Sequence, residues 1–148
     1  MRYTRMLSED DVDIPQLLQT YQMPSISQFI SISDNYFRYV TNTEDVYFYK
    51  VYKNEELIGT IHLEKHGYTL YMDILILPKF QRMGFATRVI EDIQDDIFGL
   101  NYNRIEISID ERNTASIKLF ESAGFSVVSR EDELLNFVYD ISNQTNGT

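Results

Sequence analysis

The chain has 148 residues, 43% hydrophobic and 24% charged, with a formal net charge of −10 and no cysteine. That length is one domain's worth, and the composition is that of a globular chain able to bury a core. The acidic balance argues against a phosphate-backbone binder, which needs a basic stripe to release counterions, and the missing cysteines exclude a disulfide framework, a thiol nucleophile and a thiolate metal site.

No run approaches the ~18 apolar residues that span a membrane, and the opening "MRYTRMLSEDD" has no apolar targeting core. The expectation is therefore a cytoplasmic protein with no membrane contact, whose acidic surface attracts cations, amines included. Residues 1–142 read as a single domain. The tail 143–148, "NQTNGT", is polar and expected to fray. Its two Asn-x-Thr triplets, beginning at Asn143 and Asn146, are read as coincidence because no secretory signal accompanies them.

In chain order, "RYTRML" reads as a first strand. A helix follows, with Asp13 as N-cap and Pro15 in its first turn, ended by Pro24. From Ile26 to Val40 the apolar spacing is ragged and helical, enough for two short helices. "VYFYKVY", "LIGTIHLEKH" and "YTLYMDILIL" then read as an antiparallel meander, turning at Asn54–Glu56 and at Gly67. Ala86, Val89, Ile90, Ile93 and Ile97 fall on one face of a helix that Gly99 is placed to stop. "RIEISID" alternates strictly, with Ile105, Ile107 and Ile109 on one face and Glu106, Ser108 and Asp110 on the other. Asn113 or Thr114 caps a second helix holding Ala115, Leu119, Phe120 and Ala123, and Gly124 ends it. "FSVVSRE" and "LLNFVYDI" close the chain as two strands. The order predicts a mixed α/β sheet with helices on both faces.

The hexapeptide "QRMGFA", Gln81 to Ala86, joins an apolar strand to a helix. The first amides of a helix have no internal partner and its dipole favours negative charge, so such a junction can hold a phosphate. Gly84 lets a ligand approach the backbone, Ala86 stays small, and Gln81 and Arg82 can add side-chain donors. The spacing fits neither G-x-x-x-x-G-K-[ST] nor G-x-G-x-x-G, so ordinary nucleotide cradles are not indicated.

"ILPKFQRMGFATRVI" resembles the signature of the GNAT acetyltransferase superfamily, in which a strand, a proline, an aromatic and Q/R-x-x-G-x-G/A precede a helix. Gln81, Arg82, Gly84 and Ala86 match it. "NTASIKLFESAGF" is similar to the family's second signature through Asn113, Ala115, Ser116, Leu119, Phe120, Gly124 and Phe125. The element order agrees as well, although Pro24 to Thr43 carries no signature. The resemblance implies a mostly antiparallel sheet of six to seven strands, splayed between the strand ending near Leu77 and the one containing Ile107. It implies acetyl-CoA as co-substrate and no metal. Backbone groups of Ile76 and Leu77 would hold the pantetheine arm. Gln81, Arg82, Met83, Gly84, Phe85, Ala86 and Thr87 would hold the pyrophosphate, Asn113 would contact the cofactor, and Phe120 would flank the thioester. Phe29, Tyr36 and Phe37 fall where the family builds its acceptor pocket. The implied partner is an amine, cationic if the acidic surface and tyrosines select it, and the protein would be a monomer or homodimer.

Acyl transfer from a thioester needs a neutral amine, a donor to the carbonyl and a proton for the thiolate. An alkyl amine with a pKa near ~10.4 must first lose a proton to a carboxylate or a water chain, and a backbone N–H of Ile76 or Leu77 is the expected donor to the carbonyl. Phe120 stands where the family commonly has a tyrosine as acid, so Ser116 or water supplies that proton, or transfer is slow or lost. The family's frequent glutamate base falls at Ser108. Glu106 lies roughly 7 Å away on the same face, within range of a water relay. Asp73 interrupts an apolar strand and is the other carboxylate, expected to have a raised pKa from its apolar surroundings. His62 and His66, roughly 13 Å apart on an extended strand, cannot chelate one ion. The main expectation is an N-acetyltransferase working by direct attack in a ternary complex. The rival keeps the cofactor site but loses catalysis, as an acyl-CoA sensor or interaction module.

Overall fold

The computed structural model describes residues 1–141, so the fraying expected of 143–148 lies outside the described residues. The elements are β1 (Arg2–Arg5), α1 (Ile14–Gln22), α2 (Pro24–Ser27), α3 (Tyr36–Asn42), β2 (Val46–Lys53), β3 (Glu56–His66), β4 (Thr69–Ile76), a 3-10 turn (Pro78–Phe80), α4 (Phe85–Gln94), β5 (Arg104–Asp110), α5 (Thr114–Ser122), β6 (Ser126–Glu131) and β7 (Leu134–Asp140). The strands form one sheet in the order β1-β2-β3-β4-β5-β7-β6. β1–β2, β5–β7 and β6–β7 are antiparallel, while β4 and β5, joined through α4, are parallel. A parallel pair requires such a crossover, and here a helix provides it. Among the described residues, no helix is long and apolar enough to cross a membrane.

The chain falls into two compact units, Met1–Leu63 with Asp73–Gln81, and Glu64–Met72 with Arg82 onward. In the first, Met6, Leu17, Tyr21, Ile26, Phe37, Val40, Val46, Phe48, Leu57, Leu75 and Leu77 form the core. The ragged stretch after Pro24 resolves into α2 and α3, which bury Ile26, and Phe37 with Val40, respectively. Asp13 does occupy the N-cap position of α1, but its side chain makes no cap hydrogen bond. Its carboxylate instead accepts from Lys50 Nζ at 2.9 Å and from the Tyr52 hydroxyl, and Lys50 is also 2.9 Å from Asp11. A lysine buried on the core side of β2 needs such partners, and this one recruits the carboxylate that the sequence pattern assigns to capping.

In the second unit, α4 buries Val89, Ile90 and Ile93, and β5 buries Ile105, Ile107 and Ile109. The helix stops before Ile97, which is 49% exposed and not part of the buried face. Asp96 takes a left-handed φ of +50°, its N–H bonds Ile93 O, and Ile97 N–H bonds Asp92 O. That is a Schellman ending with aspartate in the place glycine usually holds. Asp96 supports it by accepting from the amides of Leu100 and Asn101. Gly99, expected to end the helix, lies beyond the C-cap, Asp95, and its N–H bonds Asp96 O in the turn that follows. At α5 the expected glycine does end the helix: Gly124 has φ +94°, its N–H bonds Glu121 O, and Phe125 N–H bonds Phe120 O. α5 buries only Phe120 within its helical span, with Ala115 exposed and Leu119 half-buried. β6, at the sheet edge, exposes every residue.

Candidate functional site

The β4 end lies in the first unit. Leu75, Ile76 and Leu77 are buried in succession, which breaks strict alternation along the strand. Beside them Gly59 is obligatory, because a Cβ there would stand 2.2 Å from Leu75 O. A strand glycine of this kind marks a bulge or close backbone approach. The two amides expected as donors to the thioester carbonyl are not equivalent. Leu77 N–H is committed to Ile58 O at 2.9 Å, and because successive strand amides point to opposite sides, Ile76 N–H is the one directed away from β3. Gln81 Nε2 donates to Ile76 O at 3.0 Å, so this side chain braces the strand end instead of reaching outward.

The loop continues into the second unit. Arg82 and Gly84 both hold left-handed backbone, at φ +62° and +85°. Gly84 is the N-cap of α4 with no side-chain cap, and the first intrahelical bond runs from Arg88 N–H to Gly84 O. The amides of Phe85, Ala86 and Thr87 therefore lead the helix with no intrahelical acceptor. Nothing lies within 4 Å of a Cβ built on Gly84, and Met83 is 62% exposed. In a chain of net charge −10, residues 74–90 contain Lys79, Arg82 and Arg88 and no acid. The dipole of α4 adds positive potential at the same place.

Asn113 caps α5, its Oδ1 accepting from Ser116 N–H at 3.3 Å. Phe120 is 3% exposed, and its ring meets Phe125 edge-on at 5.1 Å. This is the apolar contact between the C3 and C″ positions of a Schellman ending, so the aromatic character of Phe120 has a local structural cause. Ser116 is half-buried. Ser108 Oγ donates to Asn136 Oδ1 at 2.6 Å.

The carboxylates differ from expectation. Asp73 is exposed, so the apolar enclosure predicted for it is absent. Glu106 is half-buried and bound by Arg104 at 2.9 Å. It also lies opposite Tyr71 in the β4–β5 register, whose three pairs end at Tyr71↔Glu106. Burial first, and then the Glu106 charge, raise the Tyr71 hydroxyl above its ordinary pKa.

The aromatic residues of the first unit gather around Tyr36, which the sequence pattern singles out, and His62, which it considers only for metal. The Tyr36 hydroxyl lies 2.8 Å from His62 Nδ1. Its ring makes edge contacts with Tyr21, Phe37, Phe48 and His62 at centroid distances of 5.3–6.0 Å. Tyr21 is buried and hydrogen-bonds Tyr36 and Thr60; its hydroxyl is raised mainly by burial, with Asp73 adding to the effect. Phe37 is buried and Phe29 half-buried. The available signal is the strand period: Thr60, His62 and Glu64 share one face of β3.

The strand end of this mixed sheet thus leads through a left-handed glycine N-cap into α4, whose first intrahelical bond is the one from Arg88 N–H. Residues 12–125 match the family described as "Acetyltransferase (GNAT) family", and the chain belongs to that family of acyltransferases. The chain is similar to a spermidine N-acetyltransferase chimera from Vibrio cholerae and hSSAT (17% identity, TM-score 0.77, covering 99% of each chain). It is also similar to Campylobacter jejuni N-acetyltransferase PseH in complex with acetyl coenzyme A (12% identity, TM-score 0.75, 94% of this chain and 97% of that one). The GNAT domain of S. lividans PAT shares the fold at 18% identity and TM-score 0.78, over 94% of this chain and 89% of that one. A comparison with curated proteins returns no match.

Proposed function

We propose that this acetyltransferase moves the acetyl group of acetyl-CoA to a primary amine by direct attack in a ternary complex. The observation that carries the reading is the start of α4: three leading amides, a left-handed glycine with open space around it, and an acid-free segment in an acidic chain. Arg82, Met83, Gly84, Phe85, Ala86 and Thr87 receive the pyrophosphate on backbone N–H groups, with Gln81 holding the strand end in place. Ile76 offers the amide that polarises the thioester carbonyl, and Asn113 caps α5 while contacting the cofactor. The β4–β5 register stops three pairs in, so the later residues of β4 stand outside that ladder with backbone groups for the pantetheine arm.

The acceptor is an amine, small or at a peptide terminus or lysine, and its positive charge suits an acidic chain. Phe29, Tyr36 and Phe37 belong to its pocket. Asp73, Glu106, Ser108 and Ser116 are the side chains available for proton transfer on the strands and helix concerned. Adding acetyl-CoA should raise the melting temperature, and amine-dependent release of free thiol should follow when acceptors are supplied. Stabilisation without thiol release on any amine would favour the second reading, a CoA-binding sensor. The buried Phe120 in place of a tyrosine, and the ion-paired Glu106, are the observations that favour it.

A further inference from the structure

We infer that His62 is the proton acceptor for the incoming amine and that Tyr36 is its positioning residue, an inference that rests on the acetyl-transfer reading above. The two side chains come from different elements, β3 and α3, and meet at 2.8 Å through His62 Nδ1. Neither pattern nor packing requires a histidine here. Thr60 and His62 alternate along β3 on the face covered by α1 and α3, and a core there would be served by apolar residues. Instead a hydrogen-bonded run leads from the half-buried imidazole through Tyr36 and Tyr21 to buried Thr60.

That run has a chemical consequence. When Nδ1–H donates to Tyr36, and Tyr36 and Thr60 both donate to the Tyr21 oxygen, the lone pair of the neutral ring is on Nε2. Ring tautomers are set by the bond the other nitrogen makes. Groups facing the ring include Tyr36 and Tyr39 from α3, and Phe48 from β2. Tyr21 of α1 stands behind Tyr36, and Thr60 and Glu64 flank His62 on its own strand. β3 and β4 are joined by the two-residue turn Gly67-Tyr68, with Gly67 at φ +62°. Counting back from it sets His62 opposite Asp73, where cross-strand side chains stand roughly 5 Å apart at Cβ.

The step balances. One proton of the acceptor ammonium passes to Nε2, and the freed lone pair forms the C–N bond to the acyl carbon. The C–S bond breaks with its electron pair on sulfur, and a second amine proton ends on that sulfur. Imidazolium then returns its proton to water. Glu106, already held by Arg104, need not take part.

The test uses the full chain with acetyl-CoA and three acceptors: 1,4-diaminobutane, spermidine and an unblocked peptide. His62→Gln and His62→Asn should lower kcat on the accepted amine about 100-fold or more. They should leave acetyl-CoA stabilisation unchanged and remove the acid limb of the wild-type kcat/KM profile. Tyr36→Phe should lower kcat less and keep that limb. The chain has two histidines, so 15N spectra can assign His62 by comparison with His62→Gln. Nε2 should be the unprotonated nitrogen in wild type, and Tyr36→Phe should lose that preference. Wild-type-like kcat and pH profile in a folded His62→Gln protein, or a lone pair fixed on Nδ1, would overturn the inference while leaving acetyl transfer standing. A wild type that binds acetyl-CoA but acetylates none of the amines would overturn acetyl transfer itself, and this role with it.

Discussion

Gly84→Glu separates the cofactor cradle from the fold. Gly84 sits at φ +85° with nothing within 4 Å of where a Cβ would stand, so the substitution meets no steric wall. What it meets is backbone strain: an L-residue in left-handed conformation costs about 1–2 kcal/mol, which for a domain of this length lowers Tm by roughly 2–8 °C. The effect on CoA is larger. Hydrogen bonds to charged oxygens contribute about 1.5–3 kcal/mol each. Losing two of those offered by Phe85, Ala86 and Thr87 removes at least ~3 kcal/mol, more than 100-fold in Kd. The new carboxylate also repels the pyrophosphate. Gly84→Ala carries the same strain without bulk or charge, and should lose no more than about tenfold. Calorimetric titration of CoA into both variants, with Tm as the folding control, reads the difference. Wild-type CoA affinity in a folded Gly84→Glu protein would refute the placement of the diphosphate at α4.

The buried Lys50 cluster should show in stability. Lys50→Met leaves Asp11 and Asp13 facing each other in a site where the three side chains are 8–18% exposed, and should cost about 3 kcal/mol by urea unfolding at neutral pH. Burial pushes the Asp13 carboxyl up, but hydrogen bonds from Tyr52 and Lys50 overcome it and hold its pKa below the ordinary 3.8. A depressed carboxylate stabilises the fold above 3.8 and loses that contribution as pH falls through the folded value. Lys50 is raised above 10.5, against burial, by Asp11, Tyr52 and Asp13, so its contribution holds below 10.5 and is lost only in stronger alkali. Wild type should therefore lose Tm on acidifying below about pH 4, and Asp13→Asn should lose less; equal acid sensitivity would exclude Asp13 as the cause. Gly59→Ala places a Cβ 2.2 Å from Leu75 O and should destabilise by about 1–3 kcal/mol, seen as a lower urea midpoint. Phe120→Tyr adds a hydroxyl to a ring that is 3% exposed, and should lower stability by about 1–3 kcal/mol without raising the rate of thiol release. A faster enzyme would show that this position reaches the thioester.

What the amino-acid pattern discloses depends on whether a residue's partner is near in sequence. The strict alternation of β5, the cap at Asn113 and the glycine ending of α5 are local arrangements between neighbours, and the structure has each where the pattern sets it. Asp96 closing α4 is also local, yet illegible, because an aspartate in left-handed backbone is rare enough that the nearby glycine looks the better candidate. Asp13 fails as a cap for a different reason. Its competitor, Lys50, is 37 residues away, and a buried ammonium has more need of a carboxylate than an exposed amide has. Distance likewise hides His62. On the sequence it faces only His66, along one strand and too far to share an ion, whereas its actual partner is Tyr36, 26 residues earlier. The family signatures are legible at Gln81–Ala86 because only glycine and helix spacing need be written there. The cluster around Tyr36 and His62 is made of side chains from separate elements, so it becomes readable only once α1, α3 and β3 are placed together.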